Sequence, residues 1–252
     1  MKRALVLLAL AVSTTLLTAT LAQAGARRFA WNYESTTTPQ GLAEYEQWVT
    51  WKTDEQNDHT YDRLEFRHEF EYGLTDRLQV GLYLADWRYT RTAAGSDTQL
   101  RTTSVEVIYN LAHPATSAVG AALYGEVALG QEKFAVEAKL LLEKPLGRML
   151  LVGNTVFEGE WEDTDWVENV AKFAQTLGLN LELSPRLMLG LEGVYEVEFA
   201  DMSDAGPSLL HLGPSLAVRA PSVWLVTSPL FQLTDEDSEP DLLWRTLVGF
   251  PF

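Results

Sequence analysis

The feature that most constrains this chain is a two-residue alternation sustained over segments longer than ordinary strands. Between Tyr61 and Tyr72 the even positions carry Leu64, Phe66, His68, Phe70 and Tyr72, and the odd positions carry Arg63, Glu65, Arg67, Glu69 and Glu71. Successive side chains of a strand point to opposite faces, so this segment has one apolar face and one ionised face. Wound as a helix, it would scatter the same charges all round. The pattern returns with Leu78, Val80, Leu82 and Leu84 against Gln79, Gly81, Tyr83 and Trp87, and with Phe134, Val136, Ala138, Leu140 and Leu142 against Lys133, Glu137, Lys139 and Glu143. It returns again with Leu187, Leu189, Leu191, Tyr195, Val197 and Phe199 against Glu192, Glu196 and Glu198. Twelve segments follow this rule: 42–52, 60–72, 77–90, 99–111, 118–129, 133–144, 148–160, 170–183, 187–199, 208–219, 222–233 and 241–252. Alternation is weakest in 148–160 and 208–219.

Each segment is long enough to cross a bilayer at a tilt, for which about 9–11 residues suffice. An even number of antiparallel strands closes into an up-and-down barrel. The expected fold is therefore all-β, a single transmembrane antiparallel barrel over 42–252 with about twelve strands. Alternate connections (73–76, 112–117, 145–147, 184–186 and 220–221) are short and rich in Gly, Pro and Ser, as tight periplasmic turns should be. The other set, 53–59, 91–98, 161–169, 200–207 and 234–240, is longer and acidic, with only 130–132 short, as outer loops should be. A soluble β-sandwich also alternates. It does not need strands this long, since ordinary strands run to about 5–6 residues.

The N-terminus fits export. Lys2 and Arg3 precede an uncharged apolar or small run from Ala4 to Ala22, and Ala22-Gln23-Ala24 is a small-x-small cleavage pattern. Residues 1–24 read as a cleaved signal peptide; export together with the barrel pattern places the mature chain in the outer membrane among its lipids and lipopolysaccharide. Residues 25–41, with Arg27, Arg28 and Pro39, fit no strand and read as a periplasmic arm or partial plug. Composition removes other classes. With no cysteine, there is no disulfide framework, Cys-ligated zinc or cysteine nucleophile. A net charge of −16 excludes a nucleic-acid partner, which would need clustered Lys and Arg.

Two motifs carry a resemblance. The last strand, Trp244-Arg-Thr-Leu-Val-Gly-Phe-Pro-Phe252, resembles the terminal signature that outer-membrane proteins present to the barrel assembly machinery, with Phe250 and Phe252 as the assembly signal; Pro251 in the penultimate place departs from it. The run Tyr72-Gly-Leu-Thr-Asp-Arg-Leu-Gln-Val-Gly-Leu82 resembles the strand–turn–strand signature of the outer-membrane porins grouped with the phenol-degradation MetA-pathway transporters. Leu183–Leu191 is a looser copy, and Leu42–Trp51 is similar to the first strand of that group. The resemblance implies a small barrel with a channel or transport role and no catalytic residues.

Residue chemistry points the same way. His59, His68, His113 and His211 form no zinc-binding spacing, and no cofactor motif is present. A barrel lipid hydrolase would need a Ser–His pair. Here His211 and Ser215 share a face but lie about 13 Å apart along a strand, and His211 and Ser208 face opposite ways. Glutamate pairs recur on many strands, which a charged lumen wall explains better than one catalytic pair, so the chain reads as a non-enzyme. The lumen is assigned Glu65, Glu69, Glu71, Glu106, Glu126, Glu137, Glu158, Glu182, Glu192 and Glu196 with Arg63, Arg67, Lys139, Lys172 and Arg245. Over the whole wall, fifteen acids stand against eight bases, a balance that favours cations. Trp48, Tyr83, Trp87, Tyr124 and Trp224 are expected to point inward and constrict the lumen. A narrow cation-favouring channel or transporter and a closed structural or interaction barrel are the two functional classes left. The acidic outer loops are candidates for weak divalent-cation binding, set against a merely solvated rim.

Overall fold

The computed structural model describes residues 26–163 and 168–252. The leader read at 1–24 and part of one outer connection, including Asp165, lie outside the described residues, as does the side chain of Glu168. The strands in chain order are β1 (Ala43–Glu55), β2 (Asp58–Thr75), β3 (Leu78–Tyr83), β4 (Trp87–Thr92), β5 (Gly95–Leu100), β6 (Thr103–Ala112), β7 (Gly120–Leu129), β8 (Lys133–Leu146), β9 (Met149–Glu162), β10 (Glu168–Ser184), β11 (Leu187–Ala200), β12 (Asp204–Ala220), β13 (Val223–Gln232) and β14 (Leu242–Pro251). Every ladder is antiparallel, and β1 pairs with both β2 and β14, which closes the sheet into a barrel. β3 and β4 lie end to end against β2, with β6 and β5 beside them in turn. These four are two interrupted staves, so the fourteen strands make the twelve-stave barrel that the alternation implies.

The interruption corrects one inward assignment. Glu69 pairs with Tyr83, whereas Phe66 pairs with Trp87. Three steps along β2 thus match four steps along its partner, and the extra residue sits at Leu84–Asp86, where Ala85 takes a left-handed φ of 57°. One inserted residue turns every later side chain to the other face. Trp87 therefore leaves the lumen and stacks on the lipid-facing Phe66, with ring centroids 4.0 Å apart and planes 8° from parallel. Arg88, opposite Glu65, turns inward in its place. Asp86 is pulled in by Arg67, whose Nε donates to it at 2.8 Å. The outer connections are tighter than the sequence suggests, because strands run on through residues read as loop. β1 and β2 are joined at Gln56-Asn57, and most of 91–98 is the β4–β5 hairpin.

On the outer face, Leu123, Val127, Leu140, Leu142, Leu177 and Leu179 are exposed, as a lipid-facing wall requires. His68, also on that face, has its Nδ1 3.0 Å from the Tyr45 hydroxyl, so its polar atom has a partner within the bilayer band.

Candidate functional site

Residues 26–38 have no strand pattern because neither of their faces meets lipid: the segment lies inside the barrel. Its backbone groups still need partners away from water, and wall side chains supply them where a neighbouring strand would otherwise do so. Glu192 accepts the N–H groups of Ala30 and Trp31 at 2.9 and 2.8 Å and the Asn32 amide at 2.9 Å. Asn154 holds Tyr33 from both sides, accepting its N–H at 2.7 Å and donating to its carbonyl at 3.0 Å. Glu143 accepts the Ser35 N–H at 2.8 Å, and Gln79 accepts that of Thr38 at 2.8 Å. These contacts come from β3, β8, β9 and β11, so the segment is braced across the lumen.

Apolar anchors fix its depth. Phe29 is fully buried with Leu150 and Val152 of β9. A Cβ on Gly178 of β10 would stand 2.7 Å from the Phe29 ring, so only glycine leaves the ring its seat. Trp31 packs on Val194, Leu230 and Leu243. The weak alternation of 148–160 and 208–219 now has a cause. Leu150, Val152, Leu209 and Ala217 turn apolar side chains into the lumen, where they are buried.

Tyr33 stands at the centre of an aromatic level. Its ring meets Tyr124 edge-on at 5.1 Å and Trp48 at 6.2 Å, and its hydroxyl lies 3.3 Å from that of Tyr83. Cations lie over these rings. Arg27 sits 4.3 Å from the Tyr33 ring centre and 4.7 Å from that of Trp48, Arg67 sits 3.7 Å from Tyr83, and Lys139 sits 4.0 Å from Tyr124. Each such contact is worth on the order of 2 kcal/mol when desolvated. Arg245 lies over Trp31 at 3.9 Å. Two cavities flank this level. One of about 310 Å³ opens toward the short turns and is lined by Arg28, Glu34, Gln79, His113 and Arg219 among others. One of about 280 Å³ on the loop side is lined by Glu65, Arg67, Asp86, Glu126, Glu158 and Arg245 among others. They share no lining residue.

The remaining charges sort into two levels. On the loop side acids and bases alternate: Arg67 reaches Glu126 at 2.5 Å, Lys52 reaches Glu65 at 3.1 Å, Lys172 reaches Glu198 at 2.9 Å, and Lys139 pairs with Glu137. Arg63 lies over the Tyr61 ring at 5.5 Å. Glu158 lines the loop-side cavity, while Glu196 lies on β11 toward its outer end. On the turn side Glu69, Glu71 and Glu106 are buried with Glu44 and Glu46. Glu182 stands half-exposed at that mouth, 4.0 Å from Arg28. Trp224 is buried and donates to Glu44 at 2.8 Å. Sequence reasoning missed Arg27, Tyr33, Asn154 and Asp86 as site residues. The first two had a signal, a basic and aromatic run with no strand to belong to. Asp86 had none, because a one-residue bulge leaves no mark in composition.

The Ser–His arrangement of a hydrolase is not formed at His211, whose Nε2 lies 3.1 Å from the Pro240 carbonyl oxygen. The Ser215 hydroxyl makes no hydrogen bond among the described residues.

Several solved barrels share this architecture. The crystal structure of the COG4313 outer membrane channel from Pseudomonas putida F1 aligns with a TM-score of 0.64 at 11% identity, over 86% of this chain and 98% of that one. The NanC porin aligns at 0.54 and 9% identity, over 82% and 98%. The KdgM porin, in complex with disordered oligogalacturonate, aligns at 0.50 and 8% identity, over 84% and 99%. At such identities the likeness is one of fold. No curated protein matches the chain. The motif Tyr72–Leu82, which suggested the phenol-degradation transporters, forms the β2–β3 turn, and none of these comparisons carries that name. A model described as a family of unknown function, DUF6662, matches residues 21–240, which is most of the chain, and the chain belongs to that family.

Proposed function

We propose that this protein is an outer-membrane channel, closed at rest by its own N-terminal segment and favouring cations when that segment leaves. The observation that carries this reading is the seating of residues 26–38 in the lumen, where they line the turn-side cavity and none of them lines the loop-side one. A purely structural barrel could fill its lumen with wall side chains alone. Here the wall instead gives up apolar and polar positions, among them Gly178, Val152, Asn154 and Glu192, to receive a detachable stretch of chain.

Selectivity follows from the wall. The loop-side cavity sets Glu65, Asp86, Glu126, Glu137 and Glu158 against Arg67, Lys133 and Arg245. A narrow, low-dielectric passage focuses that acidic excess on a permeating ion. The fold shared with porins and an outer-membrane channel supports the reading without naming a cargo.

A bilayer reversal-potential measurement on a variant lacking residues 26–38 tests it. A potential displaced toward the potassium equilibrium value in a potassium chloride gradient is expected. Displacement toward chloride would refute the acidic passage, and a silent variant that still folds would favour the structural barrel.

A further inference from the structure

Below the aromatic level five glutamates converge: Glu44 and Glu46 from β1, Glu69 and Glu71 from β2, and Glu106 from β6. None is more than 4% exposed. Among the described residues their cationic partner is Arg27, at 2.9 Å from Glu46, 3.2 Å from Glu71 and 3.6 Å from Glu69. One guanidinium against five carboxylates leaves an excess of four formal negative charges away from water. Buried charge of that kind is costly unless it is paired or coordinates a metal.

Arg27 holds one oxygen each of Glu46 and Glu71, and the other oxygens divide into two sets. One oxygen each of Glu44, Glu46, Glu71 and Glu106 accepts from a neutral donor: Trp224 at 2.8 Å, Trp48 at 2.8 Å, Thr38 at 3.0 Å and Tyr83 at 2.7 Å. Both oxygens of Glu69, the second oxygen of Glu106 and the second of Glu44 are buried with no hydrogen-bond partner. The backbone opposite makes room for one of them. A Cβ on Gly81 of β3 would come within 2.7 Å of Glu69 Oε1, so the glycine keeps the space beside that carboxylate open. Oxygens of Glu69, Glu71 and Glu106 all lie within 4.8 Å of one another. A single ion with metal–oxygen distances of about 2.3–2.6 Å can touch all three.

We propose that Glu69, Glu71 and Glu106 hold a hard divalent cation, calcium in preference to magnesium, beside Arg27. The donor set is all oxygen, with no imidazole or thiolate to attract zinc or copper. Its irregular arrangement suits calcium, which tolerates variable geometry, better than magnesium, which demands an octahedron. Glu71 also holds Thr38 and Arg27 of the lumen segment, so the ion ties that segment to the wall. This site differs from the acidic outer rim singled out in the sequence. Among the described residues no three rim carboxylates come as close together as these. The inference stands whether or not the barrel conducts.

The test uses the full chain, folded with calcium, passed through metal-free buffer and analysed for bound metal. About one retained calcium per chain is expected, lost in the Glu69→Gln/Glu106→Gln variant and kept in Asp235→Asn/Asp237→Asn. Heat-modifiable migration shows that each variant has folded. If the double glutamine variant does not fold, Gly81→Ala takes its place, since it fills the space by Glu69 and leaves every carboxylate. Terbium should replace the ion and luminesce on excitation of Tyr83, which bonds Glu106. A metal-free wild-type barrel would overturn the proposal and mean that the carboxyls share protons. Metal retained by the inner variant and lost by the rim variant would overturn it equally.

Discussion

At the scale of single residues the barrel is governed by which face a side chain occupies. Phe66 lies on the lipid face against Trp87, so Phe66→Arg should cost about 2–4 kcal/mol near the midplane, whereas Leu there should be nearly neutral. Urea unfolding of the protein in vesicles measures the difference. Equal stabilities would mean that Phe66 does not face lipid. Gly178 makes the complementary point from inside. Its missing Cβ seats the Phe29 ring, so Gly178→Leu should displace Phe29 and overpack the wall by about 1–3 kcal/mol. The displaced segment should become a substrate for added protease, while the wild type stays intact. Trp87 shows where residue-scale reading of the sequence stops. Its parity was counted through Ala85, and a left-handed residue that adds one position to a strand is invisible to periodicity.

At the scale of elements the staves were legible because lipid demands an unbroken apolar face on each of them, and that demand writes period two into the sequence. The plug was not legible in detail. Residues 26–38 satisfy their backbone through Glu192, Asn154, Glu143 and Gln79, contacts far apart in sequence that leave no local pattern. The terminal strand closes the barrel. Phe252 exchanges backbone hydrogen bonds with Ala43 at 2.9 and 3.2 Å, and Phe250 stacks on Tyr45. Deleting Phe252 should lower the yield of heat-modifiable barrel, and an unchanged yield would separate the terminal residue from assembly. At the outer tip, Asp58 accepts the Thr60 hydroxyl at 2.6 Å and the Ala93 N–H at 2.9 Å, joining the β1–β2 turn to the β4–β5 hairpin. The Thr60 hydroxyl, with the N–H groups of Ala93 and Thr60, holds its carboxyl below the usual aspartate range. A lowered pKa means that the tie is fully formed above the ordinary value, about 3.9, and is lost as the pH falls through the depressed one. The protection of the Ala93 amide against exchange, relative to its intrinsic rate at each pH, should therefore fall only in acid, and in Asp58→Ala it should be low at neutral pH too.

At the scale of the whole molecule, the wall and the segment inside it have separate tasks. The wall is stable because its outer face is apolar and every described strand except β5 has two neighbours. The segment is held instead by individual polar contacts and three aromatic anchors, Phe29, Trp31 and Tyr33. In the proposed channel, such a mode of attachment is undone without opening the barrel. The cysteine-free chain allows a direct test of that division. In Phe29→Cys/Val152→Cys a disulfide would join the plug to the β9 residue it packs against, and single-channel current can be recorded from the same protein before and after reduction. The oxidised form should stay silent, and reduction, which frees a segment that has also lost its Phe29 anchor, should allow current of the size given by the chain lacking residues 26–38. Equal current in the oxidised and reduced forms would show that ions do not pass where the segment sits, and would contradict a lumen gated by the N-terminus.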